Sequence, residues 1–151
     1  MSTDEKTGIQ ALEQAHRSLP MQPGQVECRE MEYIRHGTQC LIANFEVATG
    51  CLVAPSIGLT RTEVDFHAHI AQTIATNPDA TWIFIVDQLN THRSESLVRL
   101  VAHTCGSTDD LGVKGKAGIL ESMATRTAFP ADTAHRIRFV YPPRHTSWMH
   151  H

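Results

Sequence analysis

No run of apolar residues in this 151-residue chain approaches the roughly 20 needed to cross a bilayer, so no membrane partner is expected. The opening Met1-Ser2-Thr3-Asp4-Glu5-Lys6 has no apolar core and does not read as a signal peptide. Cys28, Cys40, Cys51 and Cys105 form no C-x-x-C pair and no regular framework. That argues against zinc-finger and redox motifs and for reduced thiols in a cytoplasmic protein. Excess positive charge is missing too: 13 Lys and Arg stand against 16 Asp and Glu, a formal net charge of −3. A domain that grips DNA mainly through phosphate contacts is usually basic. The 10 histidines add charge only below about pH 6.5. Internal repeats and low-complexity tracts are absent.

An apolar content of 41% suits one globular domain with a sizeable core. The first 32 residues, with Pro20, Pro23 and Gly24, read as a short first strand followed by loop. Residues 39–47 alternate, with Leu41, Ala43, Phe45 and Val47 on one face and Asn44 and Glu46 on the other. Ala48-Thr49-Gly50 turns the chain into a return strand over residues 51–54, which Pro55 ends or places at an edge. Thr62-Glu63-Val64-Asp65 resembles a capping box for a helix with Phe66, Ile70, Ala71 and Ile74 on one stripe, stopped by Asn77-Pro78. Ser94 caps a second helix that turns Leu97, Val98, Leu100 and Val101 inward and ends at Gly106. Residues 106–134 are the least periodic, with Ile119, Leu120 and Met123 forming one short helix inside them. Residues 136–141 alternate again, Ile137, Phe139 and Tyr141 sharing a side.

The most telling stretch is residues 81–92. Ile83, Phe84, Ile85 and Val86 read as a strand buried on both faces, hence a central strand of an α/β sheet covered by helices. The run stops on Asp87, where open α/β sheets build their sites. The same aspartate has a plainer reading, in which it only hydrogen-bonds the turn that follows.

Three segments occur in one order: the stretch from Asp4-Glu5-Lys6 to Leu12-Glu13, the segment at Asp87, and Arg138 through Pro142-Pro143 to Ser147-Trp148. Together they resemble the catalytic domain of bacterial insertion-sequence transposases of the mariner superfamily. The resemblance covers essentially all 151 residues. It implies an RNase H-like fold, a mixed central sheet flanked by helices, carrying a DDE triad. It implies a partial domain over residues 1–151, with an incomplete first strand, a missing last helix and an insertion at about 106–134. In the family a Glu follows the Ser-Trp pair by a few residues; that spacing places it just beyond His151, so this chain is expected to be inactive alone.

The implied chemistry is metal-dependent DNA cleavage and strand transfer. In-line attack on a phosphodiester is stabilised by two divalent ions about 3.5–4 Å apart, held mainly by carboxylates. Hard Mg²⁺ or Mn²⁺ suits such oxygens, and a core that neutralises phosphate through metal need not be basic. By the resemblance, Asp4 bridges the two ions and Asp87 holds one, while Glu5 points to the opposite face and is no ligand. His92 either contacts a phosphate or attacking water or orients its loop; Asn90 is a turn residue first and a DNA contact second. Arg144 and His145 reach toward DNA phosphate, Ser147 caps the next helix, and Trp148 packs. Lys114 and Lys116 form either a basic loop on the DNA backbone or a solvated insertion; their glycines do not match a P-loop. His67 and His69, two apart on a helix, diverge by about 200° and cannot share an ion. The implied partners are element-end and target DNA, with the chain as a homodimer or paired with full-length transposase, near the bacterial nucleoid. Two other readings stay open: a catalytically dead remnant that interferes by pairing, and an RNase H-like host nuclease.

Overall fold

Alternating and capped segments assemble a five-stranded mixed sheet with helices, which the computed structural model describes for residues 1–17, 19–27, 29 and 31–143. Its strands are β1 (Ser2–Gln14), β2 (Tyr33–Glu46), β3 (Cys51–Gly58), β4 (Trp82–Ile85) and β5 (Ile137–Val140); its helices are α1 (Glu63–Ala75), α2 (Glu95–Thr104) and α3 (Met123–Ala131). They run in the sheet order β3-β2-β1-β4-β5. β1, β2 and β3 pair antiparallel, whereas β1 with β4 and β4 with β5 run parallel. This is the order and polarity of an RNase H-like α/β fold.

The helix signals hold. Thr62 accepts the backbone N–H of Asp65 while the Asp65 carboxylate accepts that of Thr62, and Ser94 accepts the N–H of Leu97. Three hydrogen bonds, from the Thr60 hydroxyl and from the Thr62 backbone and hydroxyl, hold the Asp65 carboxyl below its ordinary range. Phe66, Ile70 and Ile74 of α1 and Leu97 and Val101 of α2 close over Trp82, Phe84, Val86, Ile137 and Phe139 to make the core. Phe84 stacks on Phe139 with ring centroids 5.1 Å apart.

Of four local expectations, three change and the open one at Pro55 resolves to an edge strand. β1 does not give way to loop after its first residues but runs to Gln14, because its partner β2 begins at Tyr33, earlier than its alternation suggested. Beyond Lys6 this ribbon is exposed on both faces, so hydrogen bonds to β2 rather than burial maintain it. On the other side β1 meets β4 only through Ser2 opposite Ile85. Second, β4 is covered on one face: α1 and α2 both lie over Phe84 and Val86, while Ile83 remains 37% exposed. Third, β3 continues through Pro55 to Gly58, as an edge strand permits. Fourth, Ile119, Leu120 and Met123 do not share one helix. Ser122 caps α3 through a capping box with Thr125, and the preceding residues Gly118–Leu120 form a separate 3₁₀ turn with Leu120 fully buried. That turn folds back so tightly that a Cβ on Gly112, whose φ is +79°, would sit 2.1 Å from the Ala117 carbonyl oxygen.

The inward face of β2 is the one with Ile42 and Asn44; Phe45 and Val47 lie exposed on the other. A fully buried Asn is costly unless its amide is satisfied. Here the Thr3 hydroxyl donates to Asn44 Oδ1 at 2.6 Å, and Asn44 Nδ2 donates to Thr73 Oγ1 at 2.6 Å. Thr73 passes its own hydrogen to the His69 carbonyl at 2.9 Å. One amide therefore ties β1, β2 and α1 together. Asn44→Ala is expected to destabilise the fold by about 2 kcal/mol, since it strands the buried Thr3 hydroxyl, removes the donor to Thr73 and opens a cavity. Urea denaturation showing a change below about 0.5 kcal/mol would contradict this account.

Candidate active site

β1 and β4 run parallel with Ser2 opposite Ile85; Asp4 follows Ser2 by two residues on β1, and Asp87 follows Ile85 by two, just past the end of β4. Neighbouring strands lie about 4.8 Å apart. The start of β1 is pinned to β4 by Ile85 N–H donating to the Met1 carbonyl at 2.8 Å and by the Met1 amino group donating to the Ile83 carbonyl at 2.9 Å. A cleft of about 280 Å³ opens at this junction, lined by Ser2, Thr3, Asp4, Ile85, Val86 and Asp87.

In each aspartate one oxygen is already engaged. Asp4 Oδ1 accepts the Glu5 backbone N–H at 2.8 Å. Asp87 Oδ1 accepts the Leu89 N–H at 3.1 Å, so the plainer turn-capping reading of Asp87 is realised as well. It also lies 2.7 Å from His92 Nδ1. No contact of Oδ2 in either residue is made among the described residues. Two hard carboxylate oxygens on one cleft form a donor set that fits a divalent cation such as Mg²⁺ or Mn²⁺. Among the described residues, no third acidic, histidine or cysteine side chain joins them.

Alternation sends Glu5 to the other side of β1, where its side chain is only 3% exposed. Its Oε1 lies 3.2 Å from His92 Nε2 and its Oε2 3.3 Å from Arg61 Nη1. Burial pushes the Glu5 carboxyl up, but hydrogen bonds and charge from His92 and Arg61 outweigh it and hold the pKa below the ordinary value. His92 is buried against Phe66, ring centroids 4.2 Å apart, and the Tyr141 hydroxyl donates to its carbonyl at 2.8 Å. Burial raises the Tyr141 pKa, opposed by the charge of Arg93. Both His92 ring nitrogens therefore face carboxylates, and in this geometry the ring links Glu5 to Asp87 rather than presenting a nitrogen at the surface.

A second cavity, of about 300 Å³, is lined by Gln88, the residue after Asp87, with Glu5, Arg61, Leu89, Asn90, Thr91 and Arg93. Asn90 thus borders the candidate site from the 3₁₀ turn Asn90–Arg93. Lys114 and Lys116 lie on an exposed turn bridged by Val113 and Ala117 and line neither cavity. Arg144, His145, Ser147 and Trp148 fall outside the described residues. Sequence reasoning missed Arg61 and Arg93 and the partners of Glu5. Strand parity placed Glu5 opposite Asp4, but no local pattern signals that Arg61, 56 residues away, meets it. His67 and His69 form no pair: His69 is buried with Nδ1 2.7 Å from Ser56 Oγ.

A family model described as DDE superfamily endonuclease matches residues 1–150. No curated protein and no solved structure matches the chain.

Proposed function

The chain belongs to the DDE superfamily endonuclease family, and from that premise we propose that it is the catalytic core of an insertion-sequence transposase acting by metal-dependent DNA cleavage and strand transfer. One observation carries the reading: Asp4 and Asp87 line one cleft at the junction where Ser2 of β1 pairs with Ile85 of β4. Asp4 and Asp87 would hold the ions. When bound, Mg²⁺ or Mn²⁺ stabilises charge on the attacking and leaving oxygens of the phosphodiester. His92 Nδ1, 2.7 Å from Asp87 Oδ1 and 3.2 Å from the Asp87 carbonyl oxygen, positions that carboxylate. Glu5 Oε1 lies 3.2 Å from the other ring nitrogen and so helps to hold the imidazole in that orientation.

With two carboxylates, Mn²⁺ binding in the millimolar range is expected, on the order of 4 kcal/mol of binding free energy. Asp4→Asn should weaken it about tenfold. Water-proton relaxation in a Mn²⁺ titration measures this directly. Equal binding by the parent, Asp4→Asn and Asp87→Asn proteins would remove the assignment.

A further inference from the structure

Arg93 is 9% exposed, and among the described residues it forms no ion pair with any carboxylate. One guanidinium nitrogen, Nη2, donates to the Gln88 carbonyl, while its Nε is buried without a partner. The Thr91 hydroxyl beside it is also buried and unpartnered. A buried cation without a counter-charge is costly, and so is an unsatisfied buried donor. Both residues line the cavity of about 300 Å³ next to Asp87, with Arg61 on the same wall. The lining holds two guanidiniums and one carboxylate. That carboxylate, Glu5, is itself matched by Arg61 and His92, so the positive charge of Arg93 is the one left open.

We propose that this cavity is a phosphate subsite, in which Arg93 and Arg61, helped by Thr91, take a backbone phosphate of DNA lying next to the phosphodiester at the Asp4–Asp87 cleft. Guanidinium forks match phosphate oxygens, and a partly desolvated site strengthens the charge-assisted hydrogen bonds. The placement fits a strand passing over both cavities. Asp87 lines one cavity and the next residue along the chain, Gln88, lines the other. The subsite also reconciles the chain's net charge of −3 with DNA contact, because it needs local rather than overall positive charge. The inference leans on the DNA-acting reading only for the source of the phosphate.

The test uses the full chain in EDTA, so that failure of the metal assignment leaves it intact. Inorganic phosphate is titrated and followed by ³¹P line broadening, and then a short DNA duplex is added as competitor. The parent protein should bind phosphate saturably, and the duplex should displace it. Arg61→Gln should weaken phosphate binding about tenfold and Arg93→Met at least as much, while Lys114→Gln stays within about twofold. Should Arg93→Met fail to fold, the half-exposed Arg61 carries the comparison alone, with circular dichroism confirming its fold. The proposal is overturned by absence of saturable phosphate binding, or by equal binding in the parent and both arginine variants. A duplex that leaves the phosphate in place overturns it too, since the cavity would then serve a free phosphorylated compound instead of DNA.

Discussion

Asp87→Asn is expected to weaken Mn²⁺ binding by about ten- to a hundredfold, with the melting temperature nearly unchanged. The amide keeps the shape of the carboxylate and an oxygen for His92 Nδ1, now 2.7 Å from Oδ1, and for the Leu89 N–H. What it removes is the negative charge at the cleft, where a cation must be held against the charge that develops during phosphoryl transfer. The Asp87 side chain is 53% exposed, so folding depends little on it. Comparing Mn²⁺ titrations and melting curves of the two proteins decides the matter. A variant that binds Mn²⁺ as tightly as its parent would sink the assignment of Asp87 as a metal ligand.

Acid should destabilise the fold through His69 well before the carboxylates protonate. Burial pushes this imidazole down to about 4, only partly opposed by the charge of Glu5, whereas an unfolded histidine titrates near 6.5. Between those two values the unfolded chain binds a proton that the native chain refuses. Stability therefore falls as pH drops through that window, by up to about 1.4 kcal/mol per pH unit, for a total of about 3 kcal/mol, and this contribution levels off below pH 4. Glu5, whose pKa is depressed, acts in a different window: its contribution is present above the ordinary carboxylate range and is lost at lower pH. Urea unfolding at several pH values, with His69→Gln as the reference, isolates the histidine. Parallel pH profiles for the two proteins would show that His69 is not the cause.

What could be read from the chain follows from how local each signal is. The caps at Thr62 and Ser94 and the apolar run ending at Asp87 are written within a few residues, and the structure realises them. The fold class followed from the resemblance that the three motifs carry. The rest depends on distant partners. Asn44 looked like a surface residue because its satisfaction comes from Thr3 and Thr73, 41 and 29 residues away. The far half of β1 gave no burial pattern because nothing covers it, and its pairing with β2 leaves no periodic trace. At the candidate site, the resemblance pointed to Asp4 and Asp87, and both line one cleft. The charges around them were not: Glu5, His92 and Arg61 come from three separate segments and meet only when the sheet closes.

The pinning of Met1 to β4 also works as an index mark for the residues that line the cleft. Adjacent residues on a strand point to opposite sides, so sliding β1 by a single step would exchange the places of Asp4 and Glu5. A longer carboxylate would then enter the cleft, and the shorter one would be pressed into the pocket between His92 and Arg61 that Glu5 now fills. Two acidic neighbours of nearly identical chemistry are thus told apart by alignment alone. The two backbone hydrogen bonds at Met1, together with the Thr3–Asn44 tie one residue later, keep that count from slipping.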